Sequence, residues 1–364
     1  MALETLNVKQ VRDELRLALD SERPLLEELR RQVRGFGIHE IGYRRCYAIS
    51  PVATDGGENR LSFDPVNLEI IRVVDSDGRE RLQKILPLSG GESVFRNSFD
   101  PKSSDHVPVL VQFLERLGIE YDDLSYFLRP AEGGSDLRSA VRPFRDIAEW
   151  AVLLDIAWNP GRSKALVIRD GLLRTKALRK EIIAKLAKSF EDAYKDQGSL
   201  LVGVAKRSKV LNYLSLALAL EGTFRKEYPC FCEIPREIER TAHPWWRTWL
   251  EDFTFGILHL VKFVDDPDGI ALPVDIPDWL MRRRKEVLEY LAETAKSSFP
   301  TIGYPEPLIK AHEGAVLHGI EMSVLEDMLV EELLEEQPVG DTERTIEHVA
   351  LGRDLKRGGW KKHG

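Results

Sequence analysis

Two carboxylates in this sequence are set where acids are costly to keep. Asp170 ends the apolar run Ala165-Leu166-Val167-Ile168 by way of Arg169, and Asp55 closes Pro51-Val52-Ala53-Thr54; each is followed by glycine. A continuous apolar run with β-branched members, bounded by turn signals, reads as a buried strand. A carboxylate at the end of such a strand is costly unless something cationic pairs with it. Two of them suggest convergence on one cation, and an oxygen-rich pair suits Mg2+ or Mn2+. The plainer alternative is that each Asp makes a tight turn with its glycine.

Other residues could complete such a site. Glu149 lies in the helical pattern RPFRDIAEWAVLLDIAW, where Phe144, Ile147, Ala151 and Leu154 form an apolar face. That spacing predicts Glu149 on the opposite side, either as a ligand or as a solvated partner of Arg145 one turn back. Asp146 and Asp155 are rival acids on the same helix. His312 shares a helical stripe with Leu308, Ala315 and Gly319, which predicts an inward-facing imidazole, in the core or as a ligand. Mn2+ accepts imidazole beside carboxylates. Tyr304 sits on the turn entering that helix. Lys206 follows an apolar strand and heads the cluster Lys206, Arg207 and Lys209. It is either a solvated helix start or a cation that holds a phosphate and stabilises transition-state charge. The sequence has no phosphate-binding G-x-x-x-x-G-K-[ST] loop, no G-x-S-x-G elbow and no H-E-x-x-H pair, which excludes those hydrolase classes.

The elements that must carry these residues follow in order. Residues 1–34 read as helix, renewed at Pro24 and closed by Gly35 and Gly37. Three antiparallel strands are expected at 45–53, 59–64 and 68–75, with Asp55-Gly56-Gly57 and Asp75-Ser76-Asp77-Gly78 as hairpin chemistry. A polar loop fills 89–106. Helices at 107–117 and 137–158 precede the strand at 165–168, a helix at 176–195, a strand at 198–205 and a helix at 209–220. An irregular stretch at 222–250 carries Trp245 and Trp246, which would stack on unpaired bases or, more simply, pack in a core. A strand at 256–264, helices at 277–295 and 305–335, and a flexible tail complete the chain. Strand and helix alternating after a three-strand meander predict a mixed α/β sheet.

Composition bounds the class. The 364 residues suffice for a full core, and 52 basic against 60 acidic residues give a net charge of −8. No overall basic field advertises a nucleic-acid partner, although a local basic groove is compatible with an acidic chain. Three cysteines argue against a disulfide framework and for a reducing compartment. Cys230 and Cys232 lack the second half of a zinc site. The start of the chain shows no signal pattern, and the longest apolar runs, such as 210–220, are too short for a bilayer. A soluble, cytoplasmic protein is expected.

These motifs together resemble the NurA nucleases, which pair with a HerA-type hexameric DNA translocase. VATDGG at 52–57 resembles the family's first strand motif. RDIAEW supplies its helix glutamate, IRDGLL its second aspartate, LVGVAKRSKV its Val-Lys segment, and GYPEPLIKAHE its closing tyrosine-to-histidine motif. Gly57 departs from the pattern, because the family has serine there. The resemblance implies an RNase H-like α/β fold for a nuclease domain (41–333), while the N-terminal helical arm (1–40) and the flexible C-terminal tail (334–364) fall outside its strongest part. It implies a homodimer using Mn2+ (or Mg2+) to cleave DNA, as a 5′-to-3′ exonuclease and single-strand endonuclease in end resection, repair or defence. Asp55, Glu149, Asp170 and His312 would hold the metal, with Lys206 and Tyr304 beside them. The rival is a non-catalytic subunit of the same fold that docks on a motor, and RNA is a rival substrate.

Overall fold

The apolar character of 165–168 has a simple cause: that strand is covered on both sides. The computed structural model describes residues 8–43, 49–63, 66–129, 137–161, 164–244 and 250–335. The strands are β1 (His39–Glu40), β2 (Ile49–Phe63), β3 (Val66–Asp75), β4 (Glu80–Pro87), β5 (Lys164–Asp170), β6 (Leu200–Val204), β7 (Cys230–Glu233), β8 (Gly256–Lys262) and β9 (Ala271–Pro277). They form one nine-stranded sheet in the order β1-β7-β8-β9-β6-β5-β2-β3-β4. Strands β2, β5 and β6 run parallel, while β2-β3-β4 form an antiparallel meander and β6-β9-β8-β7-β1 continue antiparallel. The expected mixed sheet flanked by helices is present.

One layer contains α2 (Ser93–Phe99), α3 (Pro108–Leu117), α5 (Arg138–Trp158) and α6 (Lys180–Gln197), packed on Val73, Leu82, Val167 and Leu201. The other contains α9 (Arg284–Ala295) and α10 (Glu306–Ala315), packed on Ala53, Leu166, Ile168 and Val202. Neighbours such as Leu166 and Val167 therefore feed opposite cores, so successive positions from Ala165 to Ile168 must be apolar.

Several local expectations are corrected. Asp55-Gly56-Gly57 is no hairpin: β2 runs through it without a break, paired with β3 from Thr54↔Asp75 to Phe63↔Val66. The meander is instead made by β2, β3 and the unanticipated β4, and its second turn does use Gly78, at φ +78°. Prolines hid β9, and Pro273 and Pro277 lie within it. A short helix, α2, occupies part of the expected 89–106 loop. The expected helix at 277–295 opens with a 3-10 segment, Asp278–Arg283. The helix expected at 305–335 is two, because Val316 is extended between α10 and α11 (Gly319–Glu335). Trp245, Trp246, the first residues of the 45–53 strand and all but the first two residues of the 334–364 tail lie outside the described residues. Cys230 and Cys232 are buried free thiols on β7, and no described helix is long and apolar enough to cross a membrane.

The arm, α1 (Val8–Arg34), docks by its last turns on α7 (Lys209–Leu220): Leu29 and Val33 join Val210, Leu214 and Ala217 in a third cluster. Glu221, just past α7, accepts from Arg30 Nε at 2.6 Å and Arg34 Nε at 2.7 Å. Those hydrogen bonds, Arg34's first, pull its carboxyl down to about 2. A depressed carboxyl contributes stability that is present above its unfolded value and lost as pH falls through the folded one. Acidification from pH 5 toward 2 is therefore expected to loosen the arm. Hydrogen exchange of 26–34 would report it, and Glu221→Gln should loosen it already at neutral pH. Equal protection in both proteins at pH 7 would rule the anchor out.

Candidate metal centre

The parallel register Thr54↔Arg169 sets Asp55 and Asp170 next along adjacent strands. Strand β5 ends there while β2 continues, so Asp170 terminates a strand and Asp55 sits within one. Strand alternation turns Asp55 and Gly57 toward α10 and Gly56 toward α5. The glycines show what each face must admit. A Cβ at Gly56 would lie 2.5 Å from Glu149 Oε1, and one at Gly57 would collide with the backbone carbonyl of Ala315, 2.9 Å from its carbon.

On the α10 side the side chains converge. His312 Nδ1 lies 2.6 Å from Asp55 Oδ2. The Tyr304 hydroxyl donates to Asp170 Oδ1 at 3.3 Å. Lys206 Nζ stands 3.7 Å from Asp170 Oδ2 and 5.3 Å from the centre of the Tyr304 ring. Asp55, Asp170 and His312 each offer one ligand atom, and these atoms all lie within 4.8 Å of one another. His312 corrects its expected inward orientation. Leu308, Ala311 and Ala315 take the buried face of α10, while the imidazole is half-exposed over the acids.

The electrostatics leave the acids short of positive charge. Burial, and then the charge of Asp55, raise the Asp170 pKa against the opposing pull of Lys206 and His312. Burial and Asp170 likewise raise the Tyr304 hydroxyl, keeping it a hydrogen-bond donor at neutral pH. A site with two adjacent carboxylates, an imidazole and a carboxyl that resists ionisation is chemically suited to a hard or borderline divalent cation.

Glu149 does not join that cluster. It approaches β2 from the α5 layer, over Gly56; the expected pairing with Arg145 is present, but it is buried rather than solvated because α5 is buried nearly all round. Its carboxylate sits 3.4 Å from Arg145 Nε and 3.7 Å from Arg169, and burial pushes it up to about 8. Asp146, one of the rival acids, accepts from Arg169 at 2.5 Å and from the Thr175 hydroxyl. Arg169 also lies 4.4 Å over the Trp150 ring and donates to the Leu172 carbonyl at 2.6 Å. Sequence reasoning missed Arg169, although a cation inside an otherwise apolar strand, immediately before the aspartate, was the available signal. The loop after Asp170 is held by Asp275, which accepts from the Leu173 amide at 2.9 Å and from Arg174.

A mixed sheet with strand-borne carboxylates and an imidazole at its parallel centre defines an α/β protein with a candidate divalent-metal centre. The NurA domain model matches residues 51–317, and the chain belongs to that family. Among solved structures, it is similar to the NurA nuclease from Sulfolobus solfataricus, at 12% identity and a TM-score of 0.46 over 91% of this chain and 98% of that one. It is also similar to NurA bound to dAMP and manganese, at 11% identity and a TM-score of 0.37 over 93% of this chain and 99% of that one. No curated protein matches the chain.

Proposed function

We propose that this protein is a metal-dependent deoxyribonuclease, hydrolysing phosphodiester bonds at Asp55, Asp170 and His312 with Mn2+ or Mg2+. The observation that carries the reading is the convergence of those three side chains, with Lys206 beside them, inside a NurA domain. A bound cation supplies Lewis-acid polarisation of the phosphate and a lowered pKa for water. Asp55 and Asp170 would supply its negative ligands and His312 a nitrogen. Lys206 neutralises charge on the scissile phosphate. Tyr304 orients Asp170 by donating to its far oxygen. Glu149, set behind Gly56 with Arg145 and Arg169, contributes from the second layer by fixing β2 and the charge behind Asp55.

Family membership supports extending the reading to a cytoplasmic homodimer working with a HerA-type hexameric ATPase in DNA end processing, as exonuclease and single-strand endonuclease. It also supports a nuclease domain at 41–333 between an arm and a tail. The test is cleavage of end-labelled single- and double-stranded DNA, and of RNA, with Mn2+, Mg2+ or EDTA. Cleavage of DNA that needs the metal and disappears in Asp55→Ala is the expected result. No cleavage under any metal, with or without a HerA-type motor, would leave the non-catalytic docking subunit as the better reading.

A further inference from the structure

On the far side of the loop that follows Asp170 lies a cavity of ≈ 360 Å³. Arg174, Lys176, Lys209 and His243 line it, with Asp146 and the ring of Phe253 also in its wall. Among the described residues, the acid in its wall and those that meet Arg174 already have partners. Asp146 accepts from Arg169 and Thr175, and Arg174 is matched by Asp275 and Glu239 at 2.9 and 3.2 Å. Lys209 is the first residue of α7, whose first turn contains no acid and whose N-cap, Ser208, accepts from the Leu211 amide at 2.9 Å. A cation at that position faces the positive end of the helix dipole, so structure alone disfavours it and an anion would favour it. The His243 Nδ1–H donates to the Glu239 carbonyl, 2.9 Å away, which leaves Nε2 for the cavity.

We propose that this cavity is a phosphate-binding subsite for the nucleic-acid strand, distinct from the position of the scissile phosphate. The proposal rests on the nuclease reading and adds where a neighbouring phosphate is held. The layout suits it. Lys206 turns to Asp170 while Lys209, three residues on, turns into the cavity, so one short segment addresses both places. Arg174 and Asp170 likewise bracket a single loop. The cations crowd one another: burial and Lys209 lower the Lys176 pKa, and burial with Arg174, Lys209 and Lys176 lowers that of His243. A phosphate would relieve that repulsion and accept from Nε2 of a protonated His243. The shared chemistry is a phosphate oxygen, whether on a terminal monoester or an internal diester.

The experiment is binding in EDTA, where no cleavage occurs, using the full chain with inorganic phosphate and a single-stranded oligodeoxynucleotide carrying a 5′-phosphate or a 5′-hydroxyl. Lys209→Ala and Lys209→Gln are expected to weaken oligonucleotide binding about ten-fold and lower the salt slope by about 0.7, one contact's worth. Thermal stability should hold, since the helix dipole gains. The His243 ring signals should shift to a higher pKa on adding phosphate. Loss confined to the 5′-phosphorylated strand assigns a terminal phosphate, and equal loss assigns an internal one. Unchanged affinity in both variants, or a His243 titration blind to phosphate, overturns the subsite. Cleavage that survives such a result keeps the nuclease reading. Lys209-dependent binding without cleavage under any metal overturns that reading alone.

Discussion

Asp170→Ala is expected to lose metal-dependent cleavage by at least about a thousand-fold, or about 4 kcal/mol of transition-state stabilisation. The metal-free variant is nevertheless expected to melt no lower than the wild type. The reason is the direction of the Asp170 pKa, raised by burial and by Asp55. A carboxyl with a raised folded pKa contributes stability below its unfolded value, and that contribution is lost as pH rises through the folded one. Above its unfolded value the buried carboxyl is therefore a burden on the metal-free fold, so its removal relieves Asp55 and costs the 3.3 Å bond from Tyr304 and the 3.7 Å contact with Lys206. What should vanish is the rise in melting temperature on adding Mn2+. A ligand at about 100 times its dissociation constant stabilises by about 2.7 kcal/mol, and the variant should gain almost none of it. Two measurements check this: melting with and without Mn2+, and single-turnover cleavage. Persistent cleavage by pure Asp170→Ala would refute the assignment, and a lower melting point without metal would refute the account of its charge.

Gly57→Ser should be the most damaging conservative change near the site. Its Cβ would meet the Ala315 carbonyl, which belongs to backbone and cannot swing away as a side chain can. Relief requires α10 to move outward, and α10 brings His312 to Asp55 while Tyr304 stands at its entry. Gly314 is also close to the sheet, with its Cβ position 2.9 Å from Val74 Cγ1, so the helix has little slack along β2 and β3. Overpacking of this kind costs about 1–3 kcal/mol. Metal affinity should fall with it, because one ligand is carried by the displaced helix. Gly56→Ala makes the contrast: it presses on the Glu149 side chain, which can shift, and leaves α10 in place. Calorimetric unfolding and Mn2+ titration of both variants separate the effects. Wild-type stability and affinity in Gly57→Ser would show that α10 yields freely. Glycine at 57 thus stands where the backbones of β2 and α10 approach closely.

The residue types of the site were legible in the sequence because their cost is local. An acid ending an apolar run, a lysine closing another and a histidine on an amphipathic helix are anomalies that need no partner to be noticed. The mixed sheet was legible for a similar reason, since β5, buried on both faces, has to be apolar at successive positions between its flanking cores. Tertiary structure decided what those anomalies face. Asp-Gly-Gly at 55–57 carries turn chemistry, yet unbroken pairing with β3, from Asp55↔Val74 to Gly57↔Arg72, keeps β2 extended there, and the glycines serve close approach instead. The side of α5 that holds Glu149 is polar by periodicity but buried in fact, because Arg145 and Arg169 come to it from its own helix and from β5. The strand β9 is concealed by its prolines. Periodicity reports the averaged environment of one element, whereas a charged group's place depends on which other elements arrive beside it. The sequence by itself therefore determined which residues need explaining and the class of fold that holds them. Only the packing of α5 and α10 on opposite faces of β2 decided that Asp55, Asp170 and His312 meet while Glu149 stays behind the strand.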